Sequence, residues 1–140
     1  MDLQEIIARY HTALDDFSRG NPEPVKPLFS HRDDVTLANP FGPAVRGWER
    51  VSEALDFASA RFRDGKVIAI ETIAEYPGSE IATILEVERW MAKVSGREDV
   101  SLFVLRVTTT FRREEGAWRI VHRHADPITT PHPDGPLRPS

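Results

Sequence analysis

Four stretches rich in β-branched and aromatic residues crowd the chain after Gly65, at residues 66–76, 80–94, 99–113 and 117–126. They are separated by links of three or four residues built around Pro77-Gly78, Ser95-Gly96 and Glu114-Glu115-Gly116, all hairpin signals. A parallel crossover needs about a dozen residues or more, so links this short make each strand run back against the one before it. The second half of the chain therefore predicts a meander of long antiparallel strands.

The first half has a different period. Leu3, Ile6, Ile7, Tyr10, Leu14 and Phe17 fall at helical spacing over residues 2–18, and Gly20 supplies a stop. Asn21-Pro22 opens a second, short helical turn that reaches Leu28-Phe29, with Asn as cap and Pro at the first helical position. Residues 34–38 read as a short strand, broken by Pro40, Gly42 and Pro43. Trp48, Val51, Leu55, Ala58 and Phe62 repeat at three- and four-residue steps, giving a third helix that ends near Asp64-Gly65. The expected class is α+β, with three N-terminal helices covering one face of a curved, mostly antiparallel sheet. Residues 1–127 form one domain in this reading, and 128–140 a Pro-rich extended or disordered tail.

Composition narrows the function classes. A length of 140 residues is enough for a single core, and acids and bases are interspersed at a net charge of −4, without a nucleic-acid-binding face. There is no apolar run of membrane-spanning length and no secretion leader, so a cytoplasmic location without membrane partners is expected. Cysteine is absent, which removes disulfides, thiolate metal sites and a cysteine nucleophile.

Few residues carry chemistry on their own. Tyr10 lies on an apolar helical stripe, and its hydroxyl either projects into a polar cavity or reaches water at the helix edge. His122 and His124 are two apart in a strand and so share a face, with Asp126 in the same phase unless a bulge intervenes. A His-x-His pair with an acid suits zinc or iron, but no further ligand presents itself, and the commoner role is hydrogen bonding or pocket lining. No metal site and no cofactor are assigned. Arg106 interrupts Phe103-Val-Leu-Arg-Val-Thr, where it either clamps a ligand carboxylate or pairs with Glu86 or Glu88 on the next strand. Val107, Thr109 and Phe111 share one side of their strand, and Arg106, Thr108 and Thr110 the other. Phosphate loops, nucleophile elbows and dinucleotide fingerprints are missing.

The order helix, short helix, strand-turn, helix and four-strand meander resembles the nuclear-transport-factor-2-like superfamily, also called SnoaL-like or cystatin-like, from Leu3 to about Pro127. The resemblance implies a cone enclosing a pocket. Ala8-Arg9-Tyr10 together with Ala38-Asn39-Pro40-Phe41-Gly42 looks like the ketosteroid isomerase arrangement, in which the tyrosine donates to an oxyanion and an aspartate before Pro-x-Gly shuttles the proton. The segment 118–124, Trp-Arg-Ile-Val-His-Arg-His, and Leu55-Asp56-Phe57 look like parts of SnoaL-like proteins and of calcium/calmodulin-dependent kinase association domains. Asn39 stands where the isomerases carry their aspartate, and an amide cannot hold a proton near neutral pH. The isomerases' protonated aspartic acid falls near Thr109.

Three functions compete. The first is a pocket that binds a small, partly apolar molecule, with Asn39, Trp48, Trp90, Arg106, Thr109 and Asp126 as candidate contacts beside Tyr10. The second is an enzyme on the same pocket, an isomerase, cyclase, dehydratase or hydrolase, with Tyr10, His122 and His124 as catalytic groups. It requires the histidines to face the pocket and fails if both lie on the outer sheet face. The third is a homo-oligomeric assembly module. A homodimer is expected in every case, because exposed sheets in this superfamily are usually paired.

Overall fold

A computed structural model describes residues 2–135 and 137. Helix α1 (Leu3–Ser18) begins at Asp2, whose carboxylate accepts the Glu5 backbone N–H at 2.9 Å, and it buries Ile6, Ile7, Tyr10, Leu14 and Phe17. The expected second helix shrinks to one 3-10 turn, Lys26–Leu28. Pro22, Pro24 and Pro27 deny this segment the N–H groups an α-helical ladder needs. Asn21 still acts as a local cap, accepting the Glu23 N–H at 3.1 Å. The described residues therefore hold two α-helices rather than three.

Strand β1 (Thr36–Asn39) turns directly into β2 (Gly42–Arg46), a strand the turn signals concealed. Pro43 is tolerated because β2 is the sheet edge, where a missing N–H costs no ladder bond. Helix α2 runs Trp48–Ser59, shorter than its apolar repeat implies. Phe62, the last residue of that repeat, instead starts β3 (Phe62–Tyr76). Asp64-Gly65, which reads as a helix stop, is a bulge in this strand: the register slips between Arg63 and Lys66, and Asp64 has φ 52°. Gly65 has a packing reason too, since a Cβ there would come within 2.6 Å of the Ser18 carbonyl oxygen and 2.7 Å of Ala92 Cβ. The C-terminal end of α1 rests on the sheet at this point.

Strands β4 (Ile81–Val94), β5 (Val100–Glu114) and β6 (Ala117–Asp126) complete the expected meander. The six strands lie in the order β2-β1-β6-β5-β4-β3, with β1 parallel to β6 and every other pair antiparallel. Bulges in β2, β3 and β6 bend the sheet, and α1 and α2 close over its concave side.

Alternation along β4 and β5 separates the two faces. Ile84, Glu86, Glu88, Trp90, Leu105, Val107, Thr109 and Phe111 are buried on the inner face, while Thr83, Leu85, Val87, Thr108 and Thr110 are only half-buried on the outer one. The phases expected for 106–111 are therefore the observed ones. Beyond Asp126 the described residues form no strand or helix, only a turn in which Gly135 N–H donates to the His132 carbonyl at 2.8 Å. The tail expected at 136 and 138–140 lies outside the described residues. No helix among the described residues is long and apolar enough to cross a membrane.

Candidate ligand-binding site

Arg123, Glu88, Trp90 and Thr109 on the inner face of the sheet are joined by hydrogen bonds that also take in Tyr10 of α1. In β6, Trp118 and Ile120 point inward, and simple alternation would send His122 and His124 after them. Val121 is an extra residue, because Thr110 pairs with His122 while Phe111 pairs with Ile120. The bulge reverses the phase, so Arg123 and Ala125 turn inward and the histidines outward.

Arg123 meets Glu88 two strands away. Its Nη1 donates to Glu88 Oε2 at 2.8 Å and its Nη2 to Oε1 at 3.0 Å, a two-pronged pairing at a site where Glu88 is wholly buried. Nη1 also donates to the Tyr10 hydroxyl, which leaves the phenol free to bond Thr109 Oγ1 at 3.0 Å. Trp90 Nε1 donates to Glu88 at 3.0 Å. Burial opposes the guanidinium charge, but the facing Glu88 carboxylate and the Tyr10 hydroxyl outweigh it and hold Arg123 above its ordinary range. Tyr10 is pushed up to about 12, chiefly by burial, which the Arg123 charge only partly offsets. The cluster is a satisfied ion pair with a neutral phenol behind it. A neighbouring pair, His11 Nε2 to Glu86 Oε2 at 2.9 Å, ties α1 to β4.

In front of Arg123 opens a cavity of about 360 Å³. Phe17, Leu55, Phe62, Trp90, Phe103 and Leu105 give it an apolar wall. Phe62 and Phe103 stack with centroids 5.6 Å apart, and Trp90 lies against Phe103 at the same separation. Asn39, Pro40 and Phe41 line it from the β1–β2 turn, and Ser95, Arg97 and Ser101 from the β4–β5 hairpin. Asn39 Oδ1 accepts the Phe41 N–H at 3.0 Å and holds that turn in shape.

The residues singled out in the sequence separate into three groups. Asn39 and Trp90 line the cavity. Tyr10 and Thr109 belong to the buried cluster but sit behind Arg123 and do not line the cavity. The remaining five are elsewhere. His122 is on the outer face with its Nδ1 2.8 Å from Thr36 Oγ1, and His124 Nε2 lies 3.3 Å from Asp126 Oδ2. Arg106 donates to Asp126 Oδ1 at 2.7 Å on that same face, not to Glu86 or Glu88, because its pairing opposite Val87 gives it the other phase. Trp48 stacks on His31 at 3.8 Å, outside the cavity. Burial and then the neighbouring His124 lower the His122 pKa. The described residues contain no group of three or more His, Cys, Asp or Glu side chains placed to hold a metal.

Arg123 and Arg97 are the charged site residues that sequence reasoning missed, beside the apolar wall residues such as Phe62 and Phe103. In the sequence Arg123 stands between two histidines, with no local mark of burial. The available signal was on β4, where Glu86 and Glu88 share the phase of Trp90 and so require a buried cationic or donor partner.

The chain matches the SnoaL-like domain family over residues 3–129. No functionally curated protein matches it. Among solved structures it is similar to a nuclear transport factor 2-like superfamily protein of Salmonella enterica serovar Typhimurium, with TM-score 0.75 and 21% identity over 94% of this chain and 92% of that one. It is also similar to a ketosteroid isomerase-like protein of Erwinia carotovora, with TM-score 0.74 and 18% identity over 91% and 95%. A protein with a cystatin-like fold from Novosphingobium aromaticivorans gives TM-score 0.64 and 21% identity over 89% and 79%. At these identities the likeness establishes the fold.

Proposed function

The chain belongs to the SnoaL-like domain family, and from that premise we propose that it binds a small, partly apolar molecule in its cone without shuttling protons. One observation carries this reading: among the described residues, the only ionisable side chains lining the cavity are Arg97 and Arg123. An arginine stays protonated in a protein and cannot act as a base. Asn39 cannot either, and it occupies the place where the resembling isomerases carry their aspartate. The wall thus offers hydrogen-bond donors on an apolar surface, which is equipment for recognition. At about 360 Å³, the cavity lies near the small end of the roughly 300–1,000 Å³ usual for ligand sites. A histidine-based enzyme is disfavoured because His122 and His124 face away from this space.

Titration with the neutral fluorophore N-phenyl-1-naphthylamine tests the reading. Saturable fluorescence enhancement is expected for the wild type. Ala58→Trp, which fills the cavity from α2, should abolish it while keeping a cooperative thermal transition. Equal enhancement in both proteins, or none in the wild type, would remove the cavity as a binding site.

The same reading includes a second copy of the chain as partner. The half-buried outer strip of Leu85, Val87, Val104 and Thr108 supports a homodimer formed through this face.

A further inference from the structure

Among the described residues two cations line the cavity, and they differ in whether their charge is already used. At the closed end, Arg123 is neutralised by Glu88, which engages it through both oxygens. An acidic ligand group there would meet the buried Glu88 carboxylate as well as the guanidinium, in surroundings where like-charge repulsion is poorly screened.

The mouth is arranged the other way. Arg97 follows the tight Ser95-Gly96 turn, where both residues have positive φ, and it is exposed. Among the described residues no carboxylate lies within salt-bridge distance of it. Of the acids in the neighbouring segments, Asp64 pairs with Lys93 at 3.2 Å and Glu98 with Arg63 at 3.8 Å, while the exposed Asp99 lies outside the cavity wall. Across the opening, Asn39 Oδ1 is occupied by the Phe41 N–H, so the amide offers its Nδ2 hydrogens. Ser95 and Ser101 add hydroxyls on the Arg97 side. Among the described residues this rim is rich in donors and no acidic side chain lines it, in a chain whose net charge is −4.

We infer that the ligand is an amphipathic carboxylic acid, its apolar body packed against Phe62, Trp90 and Phe103 and its carboxylate held at the mouth by Arg97 and Asn39. A carboxylate accepts from several donors and matches the planar guanidinium fork. The inference rests on the cavity-binding reading and adds where the ligand's charge lies.

The test compares 2-naphthylacetic acid with 2-naphthylacetamide by titration calorimetry at pH 7.5, since the two share one apolar body. The acid should bind about tenfold more tightly, an advantage that shrinks with added salt. Arg97→Gln, a change at an exposed side chain, should bring the acid down to about the affinity of the amide and weaken the amide far less than the acid. Asn39→Asp retains the turn acceptor but places an anion at the rim, and should weaken the acid more than the amide. Equal wild-type affinities, or an acid preference that survives Arg97→Gln, would overturn the inference while the bound amide upholds the cavity. Failure of both naphthyl compounds overturns it too, and the fluorophore titration then shows whether the cavity reading falls with it.

Discussion

Arg123 and Glu88 lie two strands apart in the sheet and meet through two hydrogen bonds of 2.8 and 3.0 Å at the closed end of the cone. The pair gives the inner face a polar anchor without a net charge. It also orients the Tyr10 hydroxyl, which the resembling isomerases present to substrate, toward Arg123 and Thr109 instead.

Removing one partner of this pair should cost far more than removing both. Arg123→Met leaves a buried carboxylate unpaired, and a loss of about 3–5 kcal/mol is expected. The double change Glu88→Leu with Arg123→Met should recover most of it, because replacing a buried ion pair by apolar side chains is often close to neutral. Urea unfolding of the wild type, both single variants and the double variant measures this; additive losses would show that the two side chains are uncoupled.

Asn39→Asp alone should not produce an isomerase. It restores the carboxylate of the resembling enzymes, but the Tyr10 hydroxyl stays behind Arg123 and away from the cavity. No conversion of a β,γ-unsaturated ketosteroid above the buffer rate is expected in a spectrophotometric assay. Measurable turnover would mean that the tyrosine reaches the ligand.

Burial of Tyr10 gives stability an alkaline limit. Its folded pKa of about 12 lies above the ordinary value of 10.0, so its contribution is complete below pH 10 and declines as pH rises toward 12. Melting temperatures measured from pH 8 to 12 should fall at the alkaline end, and less steeply in Tyr10→Phe. Identical slopes would argue that the phenol ionises without unfolding.

Asp34 sets an acidic counterpart. Its hydrogen bonds to Arg112, at 2.8 and 2.9 Å, hold its pKa at about 2, below the ordinary carboxylate value. Its contribution is present above about pH 4 and is lost as pH falls through about 2. Asp34→Asn should melt lower than the wild type at pH 7, with the gap closing near pH 2. A constant gap across that range would point to a cause other than the charge.

Val87→Arg tests the dimer. The substitution places a cation in the middle of the outer strip, close to Arg106, its cross-strand partner. Sedimentation at micromolar concentration should change from dimer to monomer without loss of the folded signal. A wild type that is already monomeric would eliminate the proposed partner.

Much of this architecture is written in local sequence. The meander follows from three short links between β-rich segments, and α1 from an apolar stripe with Asp2 and Gly20 at its ends. Both are near-neighbour effects, in which turn chemistry and side-chain period decide without reference to the rest of the fold. The order of the elements was enough to indicate the family, and of the two segments that resemble the isomerases the Asn39 one lines the cavity. Prolines hid part of the pattern, so that a 3-10 turn read as a helix and the edge strand β2 as a turn.

Tertiary structure decided which way side chains face and which charges meet. A single bulge at Val121 exchanges the two sides of β6, taking His122, His124 and Asp126 out of the cone and putting Arg123 into it. The side-chain period of a strand is two, so one inserted residue inverts every later position. Whether Glu88 pairs with Arg106 or with Arg123 likewise depended on strand register, a relation between segments far apart in the chain. The candidate site is legible only after that register is known.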